Sequence, residues 1–245
     1  MTGQFEPLVR AIGDDRTHPD LEWVQALTGA TERRVEEAIG ELNRHTALIE
    51  GIRARHREAG RPFYAQIPGP CELYALTRLS GATEIVETGV PSGVSSAFFL
   101  LGLAGNGSGR LHSIDMPTRS GTSPVRLPPG KSTGWAVPPE LLARWDLNLG
   151  PSQALLPELV KELGHVDLFL HDSLHTPEHL AFELETIRPR LSAGSLVLAD
   201  NNNWTGDAFP RFAASLGARV HARRNSYLVG LRVPKGRRSR PTRRR

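Results

Sequence analysis

Five apolar runs in this 245-residue chain end in polar or glycine-rich sequence: Glu87-Thr-Gly89, Asp115, Gly150-Pro-Ser-Gln153, Asp172 and Asp200-Asn201. Four of the five ends carry an acid, and random turns would not supply one so often. The last is the most emphatic, because Ser195–Ala199 runs into Asp200, Asn201, Asn202 and Asn203, with Trp204 behind them. A strand usually leaves a core through one turn residue, so these oxygens either make a strong turn or face a ligand. His175 lies three residues past Asp172, and an imidazole there could accept a proton near neutral pH. Glu87-x-Gly89-x-x-x-Gly93-x-Ser95 lets backbone approach a ligand closely and opens a helix whose N–H groups favour an anionic group. It is not Gly-x-Gly-x-x-Gly and no lysine follows it, which weakens pyrophosphate and triphosphate readings.

Strands separated by helical patterns must position these residues. The expected strands are 84–90, 110–116, 145–149, 166–172 and 195–200, closed by a pair, 219–224 and 226–233, with a tight turn at Asn225. This alternation predicts an α/β protein with a mainly parallel sheet and helices on both faces, in which ligands bind at the carboxyl ends of the strands. Residues 117–140 are rich in Pro, Gly and Ser, predict no regular element, and form a candidate lid. Trp135 within them could stack on a ligand or anchor the lid. The first sixty residues read as helical, with Thr31 expected to cap a helix over Val35, Ala38, Ile39 and Leu42. A helix, a Thr-Gly turn and a helix also describe a DNA-binding motif, but Glu36, Glu37 and Glu41 make a poor reading helix. A helical cap or dimerisation arm is preferred.

The glycine loop, with Asp115 placed 22 residues after Gly93, resembles motif I of class I S-adenosylmethionine-dependent methyltransferases and the acid of their second strand. That resemblance implies a Rossmann-like fold with a seven-stranded sheet. It places Glu87, Gly89, Gly93 and Ser95 against the amino acid part of the cofactor, and Asp115 on the ribose hydroxyls. Gly150-Pro-Ser152-Gln153 resembles the adenine-contacting segment of catechol O-methyltransferases. The run 166–175 resembles the strand that delivers their metal-ligating aspartate. Asp200-Asn201, with Trp204 and Gly206, resembles their metal pair. HDSLHTPEH is also similar to bacterial O-methyltransferases that decorate sugars and natural products. Asp172, Asp200 and Asn201 would thus form a hard oxygen set suited to Mg²⁺ or Mn²⁺, with Asp172 counted also among the catalytic and cofactor residues. His175 stands where the catechol enzymes carry a catalytic lysine. It would take the proton of a small hydroxylated acceptor. His171 should point to the opposite face from Asp172, His179 is an outside candidate, and Trp204 is expected to pack structurally.

Residues 1–65 are read as the helical cap or arm, 66–234 as the cofactor-binding domain and 235–245 as a basic tail. The tail holds seven of the 30 Lys and Arg residues and no acid, so removing it takes the net charge from +4 to −3. Basic character therefore belongs to the tail rather than the body. One cysteine, Cys71, precludes an internal disulfide framework and makes a reducing, cytoplasmic compartment the expectation. No apolar run approaches the roughly 20 residues of a bilayer span. A membrane partner is not expected, and a homodimer through the helical arm is plausible. Two rival readings stand: a metal-independent methyltransferase with His175 as sole base, and a nucleic-acid-binding protein using the first sixty residues and the tail.

Overall fold

In a computed structural model, which describes residues 18–60, 67–116 and 127–235, the central strand is β1, Glu84–Thr88. It pairs in parallel with β2 (Arg110–Asp115) on one side and β4 (Val166–His171) on the other. β3 (Trp145–Leu149) extends the β2 side, and β5 (Leu191–Ala199) extends the β4 side. β7 (Val229–Arg232) then adds antiparallel to β5, and β6 (Val220–Ala222) to β7, giving the order β3-β2-β1-β4-β5-β7-β6. The closing pair is shorter than the sequence suggests, and Asn225 turns between its strands with φ 54°.

Side-chain alternation divides the core. Ile85, Leu168, Leu170, Leu196 and Leu198 point to one face, and Val86, Phe169, Val197 and Ala199 to the other, all fully buried or nearly so. Central strands buried on both faces read as continuous apolar runs, as these do. The second face is covered by α6 (Ser152–Glu162), α7 (Pro177–Ile187) and α8 (Ala208–Leu216). The first is covered by α4 (Pro70–Ser80) and α5 (Val94–Asn106), the latter apolar almost all round because other elements enclose it.

Three further helices, α1 (Leu21–Thr28), α2 (Glu32–Glu41) and α3 (Thr46–Glu58), add Trp23, Leu27, Ile39, Ile49 and Ile52 to that first core, and the 3-10 turn Leu42–His45 adds Leu42. They share it with the sheet rather than building a core of their own. The apolar stripe of α2, read from sequence, is the face that is buried, but the Thr31 side chain makes no capping hydrogen bond. Trp23 Nε1 donates to the carbonyl of His221 at 2.9 Å, tying α1 to β6. A fully buried ion pair, Arg223 Nε to Glu72 Oε1 at 2.8 Å, fastens α4 to the turn after β6. Among the described residues no helix is long and apolar enough to cross a membrane. The basic tail from 236 onward and residues 117–126 of the expected lid lie outside the described residues. The remainder of that segment is not wholly irregular, since Pro139–Arg144 forms a 3-10 helix.

Candidate active site

The strand order reverses between β1 and β4, and a crevice opens at such a switch point beyond the carboxyl ends. The backbone N–H of Asp172 donates to the carbonyl of Thr88 at 2.8 Å, so the loops after β1 and β4 lie side by side. Gly89 has φ 87°, and a Cβ there would run into the backbone carbonyl of Asp172. Only glycine fits this approach. Gly93, φ 86°, starts α5 and faces Val137 and Gly134.

Glu87 is fully buried. It accepts hydrogen bonds from the Ser95 hydroxyl, from Ser96 Oγ at 2.6 Å and from Ser113 Oγ at 2.9 Å. Burial pushes its carboxyl up to about 7 against the pull of the three hydroxyls. The carboxylate thus binds α5 to β2, and Ser95 is committed to it. Asp115 uses both oxygens: Val90 N–H donates to Oδ1 at 3.0 Å and Thr133 Oγ1 to Oδ2 at 2.9 Å. Burial raises its carboxyl as well, with those two donors opposing.

Thr133 belongs to a strap, residues 133–137, that lies on the glycine loop. Gly134 N–H donates to Pro91 O at 3.0 Å and Ala136 N–H to Ser92 O at 2.9 Å. Trp135 packs against His56 of α3, ring centres 4.5 Å apart. It anchors the strap.

The acids after β4 and β5 are neighbours, since Asp200 N–H donates to His171 O at 2.9 Å. Burial pushes Asp200 up to about 6, with an Asn201 backbone hydrogen bond and His171 opposing. Burial, then the charges of Asp200, Glu87 and Asp115, lift Asp172 well above the carboxylate range. His175 Nε2 lies 3.7 Å from Asp172 Oδ1 and 3.1 Å from Asn201 Nδ2. Asn201 adopts the left-handed conformation, φ 49°, which Asn tolerates better than most residues. Burial and the neighbouring His171 bring His175 down to about 4, so the ring is neutral at pH 7. Trp204 is 63% exposed, contrary to the packing role expected of it, and meets the His175 ring edge-on at 5.9 Å. The short 3-10 turn Asn202–Trp204 carries it outward from the sheet.

Ser152 and Gln153 open α6, with their side chains on His179 at 3.0 Å each. His179 therefore stands in a second cluster rather than beside Asp172. At the centre of that cluster is Glu183, which sequence reading missed. It is fully buried and receives His171, His179, Thr88 and Ser173. As expected, His171 turns away from the Asp172 pair, into this cluster. A signal for Glu183 was present: it is an acid in the apolar stripe Leu180, Leu184, Ile187 of α7.

Residues 86–202 match the methyltransferase-domain family. This segment is similar to methyltransferase domains. The fold around it is the class I methyltransferase fold, and solved structures share it. An O-methyltransferase from Streptomyces achromogenes, TomG, involved in tomaymycin synthesis and solved in complex with SAM, is 22% identical over 77% of this chain and 89% of its own, with a TM-score of 0.52. Cofactor-bound Rv0187 from MTB gives 17% identity, 77% and 90% coverage, and a TM-score of 0.53. A protein from Klebsiella pneumoniae gives 19%, 76% and 90%, and 0.51. No curated protein matches the sequence. The matching segment spans the glycine loop, Asp115, the Ser152-Gln153 segment, Asp172, His175 and the Asp200-Asn201 pair.

Proposed function

We propose that the chain transfers a methyl group from S-adenosylmethionine to a hydroxyl oxygen of a small molecule, with a divalent cation assisting. The observation that carries this reading is the pairing of Asp172 and Asp200, beside Asn201 and the neutral His175, at the strand ends of a methyltransferase domain. The charge of Asp200 raises the proton affinity of Asp172, which a cation between them would relieve, and with an amide oxygen the two carboxylates make a donor set suited to Mg²⁺ or Mn²⁺. The Asn201 amide nitrogen meets His175, which leaves its carbonyl oxygen outside that contact. When bound, the cation would lower the pKa of an acceptor hydroxyl and hold its oxygen in line with the sulfonium methyl.

The chain's own groups supply the remainder. The glycine loop, Asp115 and the start of α6 would hold the cofactor, with Thr133 leaving Asp115 as ribose hydroxyls arrive. His175 Nε2 would accept the hydroxyl proton in place of its contact with Asn201. The oxygen forms a bond to the methyl carbon as the carbon–sulfur bond breaks, so S-adenosylhomocysteine leaves and the proton remains on His175. Adjacent hydroxyls, as in a catechol, a sugar or a hydroxylated natural product, would suit the oxygen set best.

A second reading, with His175 as sole base and no cation, has one observation in its favour. Among the described residues no three His, Cys, Asp or Glu side chains converge as metal ligands, so the cation site depends on Asn201 as its third donor. Titration with Mn²⁺ followed by electron paramagnetic resonance, on protein saturated with S-adenosylhomocysteine, separates the two. One ion bound per chain, lost in Asp172→Ala and in Asp200→Ala, is the expected outcome. Free-ion signal throughout would hand the chemistry to His175 alone.

A further inference from the structure

Glu183 projects from the buried face of α7 beneath the site, with no exposed surface of its own. Oε2 accepts from Thr88 Oγ1 at 2.7 Å and from His171 Nδ1 at 2.7 Å; Oε1 accepts from Ser173 Oγ at 3.0 Å and from His179 Nε2 at 2.8 Å. Burial alone would favour the protonated acid, but the hydrogen bonds from His171 and His179 outweigh it and hold the carboxyl well below its usual range. An ionised carboxylate only accepts, so His171 must carry its proton on Nδ1 and His179 on Nε2. His179 Nδ1 is then left to accept from Gln153 Nε2, which agrees with their 3.0 Å contact.

The four donors come from different parts of the site. Thr88 ends β1 just before the glycine loop. His171 and Ser173 flank Asp172 on either side. His179 carries the contact onward to Ser152 and Gln153 at the start of α6. Asp172 itself donates no hydrogen bond to this carboxylate; its N–H goes to Thr88 O. Its loop is nonetheless gripped at the residue before and the residue after, and His171 stands 5.5 Å from the ring of His175. Charge-assisted bonds of this kind are the stronger class, and a buried network with every donor used specifies one arrangement.

We propose that Glu183 is the positioning residue of this site: through His171 and Ser173 it fixes the loop that carries Asp172 and His175. The inference rests on the cation-assisted reading only for its functional consequence; the geometric part stands by itself. The conservative variant Glu183→Gln keeps the volume but replaces half the acceptor surface with a donor, so the two partners on that side must reverse their roles or lose their bonds.

Hydrogen-exchange mass spectrometry on the full chain, wild type against Glu183→Gln and Ser173→Ala, tests it, together with Mn²⁺ affinity in the presence of S-adenosylhomocysteine. In Glu183→Gln, exchange of amides 173–176 should rise by about tenfold while β5 keeps its wild-type protection, and Mn²⁺ binding should weaken by at least about fivefold. Ser173→Ala removes one donor and should move both readouts the same way by less, with an unchanged melting temperature. Wild-type exchange at 173–176 in Glu183→Gln would overturn the proposal. So would a rise spread evenly over all the strands, which would mark Glu183 as a general stabiliser. If wild type binds no Mn²⁺, the cation-assisted reading fails and the exchange pattern alone decides the role of Glu183.

Discussion

Thr133 donates its hydroxyl to Asp115 Oδ2 at 2.9 Å, from a strap that also holds the backbone of the glycine loop. Thr133 occupies one acceptor position on Oδ2, and a ribose hydroxyl that takes that position must displace it. Thr133→Val removes the competitor while keeping the shape, and a hydrogen bond of this kind nets about 1 kcal/mol. S-adenosylhomocysteine should therefore bind Thr133→Val about three- to tenfold more tightly by calorimetry, and Asp115→Ala at least about tenfold more weakly. Weaker binding by Thr133→Val would make Thr133 a cofactor contact instead.

Gly89→Ala forces a methyl group into the backbone carbonyl of Asp172, at a residue with φ 87°. Backbone cannot step aside as a side chain can, so the loss should exceed about 3 kcal/mol. Gly164→Ala, where a Cβ meets nothing within 4 Å, is the control and should melt within about a degree of wild type. Thermal denaturation of the pair reads the difference.

Glu87 predicts a pH dependence of stability. Its carboxyl is raised from the ordinary 4.5 to about 7 in the folded chain, so the folded form binds more protons than the unfolded form between those values. Stability contributed by the neutral acid is present in full below pH 4.5 and is lost as pH rises to 7. Glu87→Gln cannot ionise. Its stability relative to wild type should grow across that window by roughly 3 kcal/mol and be flat above it. Urea melts at half-unit pH steps measure this, and parallel curves would show that Glu87 does not titrate there.

The Glu72–Arg223 pair is buried on both sides, with side chains at most 1% exposed. Breaking such a pair costs more than replacing it, because the surviving charge is left without a partner. Arg223→Met should lose about 3–5 kcal/mol, and the double variant with Glu72→Leu should recover much of that loss. Equal losses in the single and double variants would mean that packing, not the stranded charge, sets the cost.

The sheet was legible because its central strands are short apolar runs bounded by turn residues, and because buried faces alternate residue by residue, as at Ile85 and Val86. The strand-end acids were legible for the same reason: a strand fixes where its last residue lies. What those acids touch was not. Thr133 reaches Asp115 from a loop without periodicity, and His179 finds Ser152 from 27 residues away. Such contacts are made by tertiary packing and leave no local spacing to read. An aromatic behind a strand is usually buried, but at Trp204 the turn Asn202–Trp204 exposes the ring. Glu183 was legible too, since a charge in the apolar stripe of a helix must have partners.

The kinship of this chain begins at Val86, inside β1, and ends at Asn202, just past β5. The first core does not respect those limits. Leu168, Leu170, Leu196 and Leu198 lie within the shared segment, but α1 to α4, which help to roof them, lie before it, and β6 and β7 after it. A fragment cut at 86 and 202 would leave that roof open and the edge of β5 unpaired, an invitation to aggregation. The segment that carries the likeness is therefore not a unit that closes its own core: 117 residues match the family, and the solvent boundary lies on helices and strands outside them.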